Sequence, residues 1–126
     1  MSAQLQNTGF NFASLQRSTF IDAHLQGAVF DGAQLQGVYF ASVQLDSARF
    51  LSKDLDSTRF VWAKLQGTNF WEAQLHGAQF VGAENIDKAI FGNTFWNLNT
   101  NFKGTAFENK TIEELTEIMG NPPESL

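Results

Sequence analysis

The chain has 126 residues, one domain's worth, with 43% hydrophobic residues, 13 Phe, 10 Gly, 2 Pro and no Cys. That apolar content excludes a disordered chain, and the missing cysteines exclude disulfides, thiolate metal sites and cysteine nucleophiles. A net charge of −5 argues against nucleic-acid binding by phosphate neutralisation. No apolar run approaches the ~20 residues of a membrane span, and residues 1–20 lack a basic start leading into an apolar stretch. The expectation is a cytoplasmic protein that binds neither nucleic acid directly nor membrane.

From Leu5 every fifth residue alternates Leu and Phe: Leu5, Phe10, Leu15, Phe20 and so on to Leu75 and Phe80, without a break. Two residues before each stands a mostly small side chain, from Ala3, Thr8 and Ala13 to Ala78, with Lys53 the outlier. A period of five makes no stripe on an α-helix and does not fit a strand's period of two. It fits a short extended piece followed by a corner, and four such pieces close a square coil of twenty residues. Strand alternation then turns the large residue and the small one two before it inward, and the other three outward.

The segments AHLQG, AQLQG, AKLQG and AQLHG, at residues 23–27, 33–37, 63–67 and 73–77, carry a clear resemblance. The pattern resembles the pentapeptide-repeat family, with consensus A-(D/N)-L-x-x, and the resemblance covers residues 3–84. It implies a right-handed quadrilateral parallel β-helix, an all-β solenoid. The sequence departs from the consensus at the second position, which is rich in Gln (Gln4, Gln34, Gln44, Gln74, Gln79) where the family has Asp or Asn.

Beyond Ala83, Asn85 falls at a core position, so the coil should be irregular there, with Ile90 and Phe95 back in phase. After Leu98-Asn99 the motif restarts two residues late, at Thr100-Asn101-Phe102 and Thr105-Ala106-Phe107. This makes about five coils over residues 3–109, irregular near 85–99, and a rod roughly 25 Å long at the ~4.8 Å strand spacing. Residues 110–126 read as a short C-terminal capping α-helix and tail. Thr111-Ile112-Glu113-Glu114 is a capping box, Ile112, Leu115, Ile118 and Met119 form one apolar face, and Gly120 and Pro122-Pro123 end the helix.

In each coil Leu faces Leu and Phe faces Phe across the axis, and the Phe rings should stack along it. Glycines at 27, 32, 37, 67, 77 and 82, and serines at 42, 47, 52 and 57, occupy corners. A type II turn needs positive φ at its third residue, so Phe12, Trp62 and Glu72 should take another turn. The N-terminal end has no cap: Met1-Ser2-Ala3 leads straight into the repeat. The expectation is a homodimer through that end, with Leu5, Phe10, Leu15 and Phe20 as the self-associating layer.

No constellation of catalytic, cofactor-binding or metal-binding residues emerges, so no enzyme and no cofactor are expected. His24 and His76 lie on opposite sides, and Asp56 and His76, twenty apart, should share a surface hydrogen bond. Lys53 should turn its amine out towards Asp54 or Asp56. One flat side presents Ile21, Ala41, Val61 and Val81 beside Tyr39, Arg59 and Trp62, with Tyr39 stacked on Arg59. The Phe50 side presents Val29, Leu51, Trp71 and Phe91. Apolar side chains flanked by Tyr, Trp and Arg have the composition of an interface hot spot. The first reading is therefore a non-catalytic interaction or scaffolding module for an unidentified protein partner, with Ile21, Tyr39, Val61, Trp62 and Val81 as its surface. The alternative, implied by the resemblance, is an acidic mimic of DNA acting on a type II topoisomerase (gyrase). Against it, residues 3–92 carry eight acidic and six basic residues, a net charge of only −2, whereas duplex DNA has one charge per ~1.7 Å.

Overall fold

The computed structural model describes residues 3–51 and 53–125. Parallel bridges join residues twenty apart in four ladders, of which Gln4–His24–Gln44–Lys64–Glu84 is one and Gly9–Val29–Arg49–Asn69 another. The chain is a β-solenoid with four sides, named below after the first core residue on each: Leu5, Phe10, Leu15 and Phe20. Each side is too short for more than one bridge, except where β1 (Thr19–Ile21) pairs in parallel with β2 (Tyr39–Ala41). The bonding repeats from coil to coil. His24 donates its N–H to Ala3 and accepts from Leu5, both at 2.8 Å, and Asn7 donates to Gln26 at 2.9 Å.

Alternation does the rest. From Leu25 to Phe80 every Leu and Phe of the five-residue period is fully buried, as are small residues such as Ala28, Ala48, Ala63 and Ala78. The rings form two ladders. Phe10, Phe30, Phe50, Phe70 and Phe91 stack with centroids 4.7–5.4 Å apart, and Phe20, Phe40, Phe60, Phe80 and Phe102 stack at 5.0–5.6 Å. Across the axis the ladders meet edge to face, as at Phe50–Phe60, 5.7 Å and 82°. At three buried inward positions held by Thr, the hydroxyl donates to a carbonyl of an earlier coil: Thr58 to Leu35 at 3.1 Å, Thr68 to Leu45 at 2.8 Å, Thr100 to Leu75 at 2.7 Å. No buried hydroxyl in this set is left unbonded.

Two expectations about phase and corners need correction. Asn85 does interrupt the coil: it sits at φ 59° ahead of a 3-10 helix, Ile86–Lys88. But the turn absorbs one extra residue there, so Asn69 pairs with Ile90 and Gln74 with Phe95. Ile86, Phe91 and Trp96 take the inward positions, while Ile90 (46% exposed) and Phe95 face out. A second residue is absorbed before Asn101, which pairs with Gln79 and returns Phe102 and Phe107 to the core. At the corners, Phe12, Trp62 and Glu72 do not take a different turn. Their φ values are 62°, 60° and 61°, matching the glycine corners, and the N–H of the next residue closes the same turn in each: Ala13 to Phe10, Ala63 to Phe60, Ala73 to Phe70. Each also donates its own N–H to the next coil, so interlayer bonding holds a conformation that costs a non-glycine residue ~1–2 kcal/mol. The corner at Ser52 lies outside the described residues, as do Met1 and Ser2.

At the other end, α1 (Ile112–Met119) opens on the expected capping box and closes at Gly120, whose φ is 83°. Leu115 and Met119 are buried in the same hydrophobic cluster as the rings, with Ile118 packed against it, but Ile112 points to solvent. The chain then runs back along the coil: Trp96 Nε1 donates to the Asn121 carbonyl at 2.7 Å, and the Glu124 N–H donates to the Trp96 carbonyl at 2.7 Å.

Candidate functional site

The Phe20 side carries the face singled out from sequence. Ile21 pairs with Ala41 in the β1–β2 register, Ser42 donates to the Val61 carbonyl, and Trp62 donates to the Val81 carbonyl, so Ile21, Val61, Trp62 and Val81 share one side. Ile21 is 55% and Trp62 64% exposed, with Val61 and Val81 half-buried between neighbours. Tyr39 lies under Arg59, whose guanidinium carbon is 3.9 Å from the ring centroid. That contact fixes a long cationic side chain flat against the face at a fraction of its usual entropic cost. Trp62 lies over Gly82 so closely that a Cβ there would meet its Cε3 at 3.0 Å.

The Phe10 side is as apolar. Phe12 is 84% exposed, more than any other large hydrophobic residue among the described residues, and Trp71 and Ile90 also face out, with Val29 and Leu51 half-buried. Phe91, expected on this surface, is instead stacked on Phe70 at 5.2 Å. Ile90 was hidden by the phase shift at Asn85, and the signal for Phe12 was present in its corner position.

The N-terminal layer differs from every layer beneath it. Leu5, Phe10, Leu15 and Phe20 are only half-buried, packed against the core on one side. At the opposite end an open cleft of about 790 Å³ lies between the last coil and α1, lined by Trp96, Leu98, Phe102, Phe107, Ile112 and Leu115 among others. Its walls come from chain segments brought together by the returning helix, which no local pattern announces.

His76 has more partners than its spacing foretold. Its Nδ1 is 2.9 Å from Asp56 Oδ1, the stacked pair expected, and its backbone N–H donates to the same oxygen at 2.9 Å. Its Nε2 is 2.8 Å from Glu124 Oε2 in the returning tail. Partial burial works to lower the imidazole pKa, but the hydrogen bonds and negative charge of Asp56 and Glu124 outweigh it and hold the group above its ordinary value of 6.5. Both ring nitrogens face carboxylates, so only the imidazolium satisfies both bonds. Lys53 forms no ion pair with Asp54 or Asp56 among the described residues; Asp54 instead accepts from Gln36 Nε2 at 3.2 Å and from the Asp56 N–H at 3.1 Å. Side-chain amides bridge the coils diagonally along the Leu sides, from Gln16 to Gln34 and from Gln26 to Gln44.

Among the described residues no group of three or more His, Asp or Glu could hold a metal ion, and no helix is long and apolar enough to cross a membrane.

Comparison with known proteins adds the following. The family model for pentapeptide repeats matches residues 3–40, 13–50 and 54–94. No curated protein matches the chain in sequence. In fold it is similar to alr5209, a pentapeptide repeat protein from Nostoc PCC 7120, at 21% identity and a TM-score of 0.54, over 96% of this chain and 84% of that one. It is also similar to full-length QnrB1, a plasmid-mediated fluoroquinolone resistance protein, at 15% identity and a TM-score of 0.55, over 83% of this chain and 68% of that one. With the five-residue period, the inward Leu and Phe and the matched segments in agreement, the chain belongs to the pentapeptide-repeat family.

Proposed function

We propose that this protein is a right-handed coil of about five turns, capped at its C-terminal end by α1, and that it works as a non-catalytic protein-interaction module. Its contact surface is the Phe20 side, with Ile21, Tyr39, Val61, Trp62 and Val81 as the binding residues. The observation that carries the reading is the exposure of Ile21 and Trp62 on one side of the coil, beside a tyrosine held flat by Arg59. Aromatic and aliphatic groups fixed in place lose little entropy on binding, which is what an interface anchor requires.

The test compares wild type with Val61→Glu, which leaves the core untouched. Immobilised protein is exposed to host lysate, retained partners are identified, and each is then measured as a purified pair. A partner bound by wild type and lost in the variant, with the circular dichroism of both unchanged, supports the reading. Equal binding by both overturns it.

The alternative is a mimic of duplex DNA acting on gyrase. The likeness to QnrB1 supports it through the fold alone, and the net charge of −2 over residues 3–92 opposes it. Inhibition of gyrase supercoiling at tens of micromolar would favour this alternative over the first reading.

A further inference from the structure

We propose that two copies of this chain associate through their N-terminal coils, edge to edge and antiparallel, about a two-fold axis passing through the Phe10 and Phe20 sides at Gly9 and Thr19. This goes beyond the interaction-module reading and does not depend on it, since it uses the end of the rod and not its lateral face.

Throughout the coil, the residue before each core residue binds the preceding layer with both its backbone groups. His24 donates to Ala3 and accepts from Leu5, Val29 donates to Thr8 and accepts from Phe10, and Gln34 donates to Ala13 and accepts from Leu15. In the first coil the same positions are Gln4, Gly9, Ser14 and Thr19. The N–H and C=O of Gln4, Gly9 and Ser14 have no backbone partner among the described residues, and Thr19 holds the same register one side on. Each side of the end face thus offers a donor and an acceptor on one residue. Two such residues meeting antiparallel exchange both hydrogen bonds, with Cα atoms ~5.5 Å apart. The half-exposed layer of Leu5, Phe10, Leu15 and Phe20 lies inside this ring of free groups.

Two observations select a second copy and this axis. First, layers in the rod stack like on like, Phe on Phe at about 5 Å; a diagonal axis would put Leu on Phe. An axis through the Leu sides or one through the Phe sides keeps a like-on-like match. Second, residues 3–22 hold one cation and one anion, Arg17 and Asp22, and they stand at the two corners that bound the Phe20 side, at φ 62° and 56°. Neither makes an ion pair within the chain among the described residues. When the Phe20 side pairs with itself about Thr19, Arg17 of each copy stands opposite Ile21 and beside Asp22 of the other, so both charges are matched twice. With the axis through the Leu sides, Arg17 meets Asn11 and Asp22 meets Gln6, and neither charge is matched. The charges therefore favour the axis through Gly9 and Thr19, with Gln4 pairing to Ser14 of the second copy.

The end face is small. With opposite sheets ~10 Å apart and side chains outside them, it spans on the order of 400 Å² per copy, below the ~800 Å² per partner of a standard interface. Association is expected at tens of micromolar.

The first arm of the test is sedimentation velocity of the whole chain from about 1 to 500 μM, where the mass should rise from one chain to two. In the second, Arg17→Asp and Asp22→Arg alone should each weaken association about tenfold, and the two together should restore it. The third uses the absence of cysteine. Under mild oxidation Gly9→Cys and Thr19→Cys should each cross-link to themselves, whereas Gln4→Cys and Ser14→Cys should cross-link only when mixed, the spacing being within disulfide reach. A single-chain mass throughout overturns the proposal. So does a dimer in which Gln4→Cys and Ser14→Cys self-link while Thr19→Cys does not, or one indifferent to both charge swaps.

Discussion

Phe60→Ala tests the ladder directly. Phe60 is fully buried, stacked on Phe40 at 5.3 Å and Phe80 at 5.0 Å, and edge-on to Phe50 at 5.7 Å and Phe70 at 5.5 Å. Truncation removes the ring from four aromatic contacts and leaves a void walled by the neighbouring stacked rings and the hydrogen-bonded backbone of adjacent coils, so little collapse can refill it. The expected loss is at the upper end of the ~3–5 kcal/mol typical of buried Phe. Phe20→Ala is the control. Its ring meets only Phe40 and Phe10 and is half exposed, so the loss should be about half as large, roughly 2 kcal/mol. Urea unfolding followed by circular dichroism, at concentrations of a few micromolar where the chain is expected to be single, gives both values from the shift in midpoint at constant slope. Equal losses at the two positions, or a loss under 1 kcal/mol at Phe60, would refute the reasoning that stacked layers, and not individual burials, stabilise the rod.

Gly82→Ala combines a positive-φ corner with a close approach: φ is 69° and the new Cβ would stand 3.0 Å from the Trp62 ring. A loss of ~1–2 kcal/mol is expected, shrinking by at least ~0.5 kcal/mol in a Trp62→Ala background; strict additivity in the double-mutant cycle would show that the ring does not rest on the glycine. His76 makes stability depend on pH. Its folded pKa is raised, so its contribution is full below the ordinary 6.5 and fades as pH rises through the folded value. Melting temperature should therefore fall from about pH 6 upward, and His76→Gln should flatten that slope; an unchanged slope would show that the Asp56 and Glu124 contacts contribute nothing. Thr111→Ala removes the side-chain acceptor for the Glu114 N–H, 3.1 Å away, and should cost ~1 kcal/mol with faster amide exchange at Leu115. Glu114 is held below its usual range by the Thr111 N–H and hydroxyl, so the box is intact above the ordinary carboxylate pKa and is lost as pH falls through the lowered value; protection of the Leu115 amide, relative to its intrinsic exchange, should fall in acid in wild type and change little in Glu114→Gln, which has no carboxylate to titrate.

The repeat was legible because one physical requirement, a large apolar residue pointing inward every five positions, is written into consecutive residues. The corner conformations were not, because φ at Phe12, Trp62 and Glu72 is imposed by hydrogen bonds to the next coil and not by local preference. The phase after Asn85 was ambiguous because Ile90-Phe91 and Phe95-Trp96 each offer two adjacent apolar residues. Stacking on Phe70 decides for Phe91, and no spacing rule in one dimension could have decided it. The apolar members of the lateral face were readable from alternation. The Glu124 contact to His76 was not, because it closes over 48 residues through a helix and a turn.

The strict alternation of Leu and Phe also limits how such a rod can change in length. Twenty added residues would extend every stripe unchanged. Ten would still lay Phe on Phe and Leu on Leu, so the core would accept them, yet everything beyond the insertion would swing half a turn. Trp62 and Val81 would then look away from Ile21 and Tyr39, and one continuous face would become two half-length faces on opposite sides. Growth by a Leu–Phe unit is thus nearly silent for folding and drastic for whatever reads the surface.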